Sequence, residues 1–435
     1  MTDQTDQTDW TDRTDPMGRT DPVDSMDSTD ATDATDSTDS MDAIQRADRT
    51  GRGEEPTQPV RPTHPMQPER APLVPEPEPE PEPGPESGPG PESESGTRPG
   101  PGPGPEPEPE PEPGAQPRPL GELRRWPRSF ADRLTAPLPG VRAMARLARE
   151  GAIRPSPEGL RAIPDLPFAP GPLPAATLDT PAVTWAGHAS WIIRIGGLTV
   201  LTDPVWSRRI LGIPPRITPV GVRWEDLPPV DAVVISHNHY DHLDAPTLKR
   251  LPRDTAVFVP AGLGRWFRRR RFHRVTELDW WEAAEYQGVR FDFVPAHHWS
   301  KRGLTDTCRS LWGGWILRDQ RRRTLYFAGD TGYGHWFKEI GRRYAGIDLA
   351  LLPIGAYAPR WWLRDVHADP EEAVQAFSDL GARRMAPMHW AAFVLSAEPV
   401  LEPLTRVRAA WERAGHPREN LWDLPVGASR VLTEA

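Results

Sequence analysis

Residues 236–244 read SHNHYDHLD, which places His237, His239 and His242 within six positions of a chain that has 12 histidines in 435 residues. In extended backbone, residues two apart project to the same side, so His237 and His239 share a direction. Asp241 and His242 follow a local reversal and face a second point in space. That spacing suits two metal ions a few ångströms apart better than one, because a single tetrahedral zinc usually draws its ligands from more distant segments. A pair of cations can hold a hydroxide between them and clamp an in-line displacement at an anionic centre.

Further ligand types follow other apolar runs. VRFDFVPAHHW offers His297 and His298, TLYFAGDTGY ends its apolar part at Asp330, and RRMAPMHW reaches His389. Any one of these alone reads as a satisfied core or surface residue. As a set, each just past an apolar strand, they read as side chains converging on the rim of a sheet. Cys308 is the only cysteine, which excludes an internal disulfide and a Cys-rich zinc site. The chemistry calls for no Ser or Cys nucleophile, and no Gly-rich phosphate loop is present.

The elements that must position these residues are short strands mixed with helices. AVTWAG, SWIIRI and LTVLTD read as strands, the last two joined at Gly196-Gly197, and DAVVIS as a buried strand feeding the histidine loop. TAVFVP, VRFDFVPA, LWGGWIL, TLYFAGD, DLALLPI and part of RRMAPMHW are further strands. DPEEAVQAFSDLG carries helix signals: Asp369 as N-cap, Pro370 first, Glu372 third, Gly381 beyond the end, and Ala373, Phe377 and Leu380 on one face. The pattern predicts a layered α/β domain over 177–432.

Residues 1–118 differ in kind. They hold 28 acidic and 9 basic residues, against 34 acidic and 43 basic in the remainder, so the formal net charge of −10 describes neither part. Thr-Asp triplets give way to Pro-Glu runs with almost no apolar side chains. Such sequence cannot offset a backbone entropy cost of roughly 1–2 kcal/mol per residue, and it predicts a disordered tail, stiff and extended where Pro and Glu alternate. The region 119–176 is a basic transition, in which LRRWPRSFADRL and GVRAMARLAREG interleave Arg with apolar residues. That pattern serves either a short helix with a solvated basic face or an anionic surface, and Pro127 argues against one long helix. No secretory signal and no apolar run of spanning length are visible, so a cytoplasmic location is expected.

SHNHYDHLD matches the HxHxDH signature of the metallo-β-lactamase fold, and its surroundings are more specific. VTWAGHAS, LTDPVWS, LPPVDAVVISHNHYDHLD, ELDWWE, HHWSKR, FAGDTGY, IGAYAPRWW, HADPEEAV and MHWAAF, in unbroken order from about 180 to 430, resemble the N-acylphosphatidylethanolamine-hydrolysing phospholipase D family. The resemblance implies an αββα metallo-β-lactamase sandwich, preceded here by the long disordered tail, with two Zn2+ ions at one edge. It implies His237, His239 and His298 on one ion, Asp241, His242 and His389 on the other, and Asp330 shared. His298 is preferred to His297 because the family's ligand immediately precedes Trp. Asp203 in LTDP resembles the carboxylate that orients a ligating histidine, and His188 in GHAS is a further candidate near the site. Catalytic roles fall to Asp241, Asp330 and His367, the last for phosphate contact or proton delivery. Its other reading is a plain histidine before a helix.

The implied activity is hydrolysis of N-acylphosphatidylethanolamine-like phospholipids to N-acylethanolamine and phosphatidic acid through a metal-bridging hydroxide. The physical logic agrees, since lowering the pKa of bound water toward about 7 and screening the phosphate address the two obstacles to phosphodiester hydrolysis. The expected partner is a phospholipid met by peripheral contact at the inner membrane surface. The basic block RWFRRRRFHR at 265–274 and tryptophans such as Trp280-Trp281 and Trp361-Trp362 could make that contact, or serve as a solvated helix face and core filling. A homodimer is compatible with the sequence, and no nucleic-acid partner is expected. A hydrolase of lactones or small soluble phosphodiesters is the alternative. A non-enzymatic scaffold is the other, disfavoured by the intact ligand set.

Overall fold

Period-two alternation in the apolar strands builds two stacked sheets. The computed structural model describes residues 116–151, 154–175, 180–211 and 214–433. In the first sheet, β1 (Ala182–Gly187), β2 (Ser190–Ile195) and β3 (Leu198–Thr202) run antiparallel, the last two joined by Gly196-Gly197. β4 (Ala232–Val234), β5 (Ala256–Pro260) and β6 (Val275–Leu278) extend it in parallel from β3. The second sheet comprises β7 (Ala283–Tyr286), β8 (Val289–Val294), β9 (Gly314–Arg318), β10 (Thr324–Phe327), β11 (Leu349–Pro353) and β12 (Met385–Met388). It is antiparallel as far as β10 and parallel from there to β12. β13 (Ser429–Val431) closes the first sheet against β1.

Alternate residues of the first sheet face different layers. Trp185, Trp191, Ile193, Val234 and Phe258 join the core shared with the second sheet. Ile192, Leu201, Val233, Ile235 and Val257 join Leu248 of α2 (Ala245–Lys249) and Phe267 of α3 (Gly264–Arg269) on the opposite side; α1 (Val141–Glu150) precedes the sandwich. The second sheet is covered by α4 (Trp336–Arg343), α6 (Pro370–Leu380) and α7 (Glu402–Arg413), with the short α5 (Arg360–Leu363) leading into α6. Phe258 stacks on Phe291 across the interface at 4.2 Å, and Trp315 Nε1 donates to the Ile235 carbonyl at 2.9 Å. Full burial of side chains of this size stabilises by about 1.5–3 kcal/mol each. The layers are therefore αββα.

α6 carries the expected cap. Asp369 accepts from the Glu372 amide, the Glu372 carboxylate accepts from the Asp369 amide, and Gly381 ends the helix at φ 58°. β1, β3 and β4 share one direction, as do β8, β10, β11 and β12. Residues leaving those ends accordingly gather at one edge of the sandwich.

Most of the acidic tail, residues 1–115, lies outside the described residues. Its last three residues, 116–118, are described. The Arg118 amide donates to the Ala283 carbonyl at 2.7 Å, and its guanidinium pairs with Glu282 at 2.6 Å. Described residues of the basic transition pack on the sandwich: Phe130 and Leu166 enter the main core, Arg124 pairs with Glu282 and Arg133 with Asp279. Within the basic block, Arg268 is committed to the buried Glu277 at 2.6 Å, while Arg265, Arg269 and Arg271 are exposed. Trp280 is core, whereas Trp361 is 37% exposed. Among the described residues, no helix is long and apolar enough to cross a membrane.

Candidate metal centre

Each candidate residue leaves the end of a strand. His188 follows β1, Asp203 follows β3, and His237 to His242 follow β4. His298 lies beyond β8, Asp330 beyond β10 and His389 directly after β12. Close approach of the two sheets brings them together. At Gly329, φ 63°, a Cβ would stand 2.5 Å from the Ser236 Cβ, so only glycine lets Asp330 come up against the histidine loop. His188, Asp203 and His389 hold positive φ angles of 58°, 33° and 63°. Such backbone costs on the order of 1–3 kcal/mol per residue and persists where the surroundings over-determine it, as they do at functional sites.

Three imidazoles meet at one point. His237 Nε2 lies 2.8 Å from His239 Nδ1, which lies 3.2 Å from His298 Nε2. The far nitrogens are already engaged: His237 Nδ1 donates to Ser236 Oγ at 2.9 Å and His298 Nδ1 to the Val366 carbonyl at 3.0 Å. Each Nε2 is left with a lone pair aimed inward. A second group joins Asp241, His242, His389 and His188, with His242 Nε2 3.3 Å from both the Asp241 carboxylate and His389 Nε2. Asp330 faces both groups. Its Oδ2 is 3.1 Å from His242 Nε2 and 3.9 Å from His298 Nε2, and its Oδ1 is 3.0 Å from His389 Nε2. That Oδ1 is buried without an aligned hydrogen bond.

The electrostatics ask for cations. Burial would raise the Asp241 and Asp330 carboxyls, but His242, joined by His389, holds both well below the ordinary carboxylate range. Burial would likewise lower His242 and His389. Asp330 and Asp241 reverse this, lifting His242 well above its usual value and His389 to about 9. Burial prevails at the first group, where His237 and His298 fall well below the ordinary imidazole value and His239 falls to about 4. The first group's imidazoles are therefore neutral and free to ligate, while in the second group divalent cations would take the place of the protons that the buried carboxylates draw onto His242 and His389. The donors are nitrogen and oxygen without thiolate, which suits zinc, iron or manganese. The clusters form a potential dinuclear metal-binding site.

Asp203 sits behind it, wholly buried. It accepts from His242 Nδ1 at 2.7 Å, from the Ser236 amide at 2.7 Å and from the Ser236 hydroxyl. Asp203 therefore orients His242 directly and His237 through Ser236, a role that the sequence pattern did not single out although Ser236 ends the DAVVIS run that feeds the histidine loop. His188 is nearer the centre than a distant support, its Nε2 3.0 Å from Asp241 Oδ2. His297 and His298 separate cleanly, since consecutive residues diverge: His297 turns to His335, 5.2 Å between ring centroids, and stays out of the cluster. His367 Nδ1 is buried without a hydrogen bond, 4.0 Å from Asp330 Oδ2, and its ring lies 5.1 Å from that of His298.

The family model described as "Beta-lactamase superfamily domain" matches residues 199–390, a span holding every candidate above except His188. The N-acyl-phosphatidylethanolamine-hydrolyzing phospholipase D 1 of Caenorhabditis elegans is 37% identical over 258 residues, covering 55% of this chain and 71% of its own. The chain belongs to the metallo-β-lactamase superfamily. The mitochondrial N-acyl-phosphatidylethanolamine-hydrolyzing phospholipase D of Saccharomyces cerevisiae is 36% identical over 244 residues, covering 53% of this chain and 52% of its own. A solved metallo hydrolase from Ignicoccus hospitalis is similar at a TM-score of 0.45 and 25% identity, over 59% of this chain and 100% of that one. Fold, site and relatives agree on a metal-dependent hydrolase of the metallo-β-lactamase superfamily.

Proposed function

We propose that this metallo-β-lactamase-superfamily chain is a dizinc phosphodiesterase of phospholipase D type, acting on N-acylphosphatidylethanolamine-like lipids. The observation that carries the proposal is the 37% identity to the Caenorhabditis elegans enzyme over 258 residues, beside seven candidate ligands that all lie within the matched superfamily domain of residues 199–390. His237, His239 and His298 would hold one ion, Asp241, His242 and His389 the other, and Asp330 both. Two such ions supply an activated water and neutralise the anionic phosphoryl group.

The chain's own groups divide the remaining work. Asp203 and Ser236 hold the ring nitrogens of His242 and His237 in one tautomer. His188, neutral because burial and His389 take it down to about 3, donates from Nε2 to Asp241 and sets that carboxylate's angle. His367 stands at the rim of the cluster. In the proposed reaction the water oxygen bonds to phosphorus and the bond from phosphorus to the N-acylethanolamine oxygen breaks. His367 takes up the proton released by the water and passes it to the departing alkoxide, giving N-acylethanolamine and phosphatidic acid. Leu304, 53% exposed and six residues after His298, and Trp361, 37% exposed and six residues before His367, would supply apolar surface for approach to a lipid layer.

The test is product identification by mass spectrometry. The full chain is incubated separately with N-acylphosphatidylethanolamine vesicles, a lactone and a bis-aryl phosphate. N-acylethanolamine and phosphatidic acid in equal amounts are expected. An untouched N-acyl phospholipid beside a rapidly opened lactone or cleaved aryl phosphate would replace the lipid assignment with the small-substrate one.

A further inference from the structure

Two backbone carbonyls of the histidine loop are satisfied by a single side chain from another segment. Inside the loop, the His239 carbonyl accepts from the amides of His242 at 3.2 Å and Leu243 at 2.9 Å, closing one helical turn. The Asn238 and Leu243 carbonyls flank that turn, and both reach Arg302. Its Nη1 donates to Leu243 O at 2.7 Å and to Asn238 O at 3.2 Å. The guanidinium carbon lies over the Tyr240 ring, 4.0 Å from its centroid. One planar group thus grips the loop before, within and after its turn.

Arg302 is itself held in place. The Asp306 carboxylate accepts from the backbone amides of Arg302 at 2.9 Å and Gly303 at 2.7 Å, and the Cys308 amide closes the loop onto the Ser300 carbonyl at 2.7 Å. Arg302 lies four residues after His298. We infer that Arg302 is a positioning residue for the metal centre, locking the segment that bears His237, His239, Asp241 and His242 to the segment that bears His298. The grip joins two bonds from one terminal nitrogen to the stacking of a planar guanidinium on an aromatic ring, and lysine has no planar group to stack. The first ligand group would depend on it most, because its three imidazoles come from both segments. The inference rests on the reading of the cluster as a metal centre and is independent of the substrate.

The test uses the full chain as wild type, R302K and R302M, with zinc affinity measured by chelator competition and cobalt-substituted protein by visible absorption. Circular dichroism checks the fold. R302M should keep its fold and bind zinc about 10–100-fold more weakly, the range seen when groups that orient metal ligands are lost. Its cobalt bands should shift, and R302K should recover part of both losses by keeping a donor for one carbonyl. If R302M melts earlier yet binds zinc with wild-type affinity and an unchanged cobalt spectrum, Arg302 is merely structural and the inference is wrong. Should R302M fail to fold, R302K decides alone: wild-type affinity and spectrum overturn the inference, and weaker zinc binding with shifted bands supports it. Absence of metal binding in the wild type would overturn the reading of the site and this inference with it.

Discussion

The two sheets supply the site in different ways. The seven-stranded sheet delivers His237, His239, Asp241 and His242 from one loop after β4, backed by Asp203 after the neighbouring β3. The six-stranded sheet delivers His298, Asp330 and His389 singly, from the ends of three strands spread over more than ninety residues of chain. One half is a compact motif whose geometry is local. The other exists only once β8, β10 and β12 have paired and the sandwich has closed. Each proposed ion takes ligands from both halves, so the centre doubles as a clasp between sheets.

The largest expected effect comes from Asp330, the residue of the scattered half that faces both groups. D330A should lose most of both ions, with turnover falling by more than the ~10–100-fold that follows loss of an outer partner. Retention of both ions in D330A would show that the compact half suffices. Next, H298A should deplete one ion while H297A leaves metal content unchanged, since His297 faces His335. Equal losses in the two variants would undo the assignment within the doublet. D203N should weaken metal binding about 10–100-fold, because one carboxylate orients His242 directly and His237 through Ser236. The smallest effect belongs to D369A, which removes the α6 cap. Chemical denaturation should show a loss of about 1 kcal/mol, with metal content intact.

The same contrast explains what was legible in the sequence. AVTWAG and SWIIRI are dense in β-branched and aromatic residues and became β1 and β2 to the residue, while only the AVV of DAVVIS became β4. The α6 cap carried its signals within four residues. β6 (VTEL), β7 (AAEY) and β13 (SRV) were not legible, because they are short, at or near sheet edges, and held by ladder partners rather than by their own propensity. The compact half of the site could be read from spacing alone. The scattered half was legible only as a set of ligand types past apolar strands, since nothing local in a lone His389 separates a ligand from a core imidazole, and its division between two ions came from the family resemblance. Ser236 and Arg302 escaped notice because their roles depend on where other segments arrive.

The most direct test of the clasp is metal content. Full-length protein, purified without added metal and then loaded with zinc and desalted, would be measured by elemental analysis beside D330A. About two zinc ions are expected per wild-type chain, the stoichiometry of a two-metal hydrolase, and few in D330A. A wild-type chain that is active and holds no transition metal would contradict the clasp.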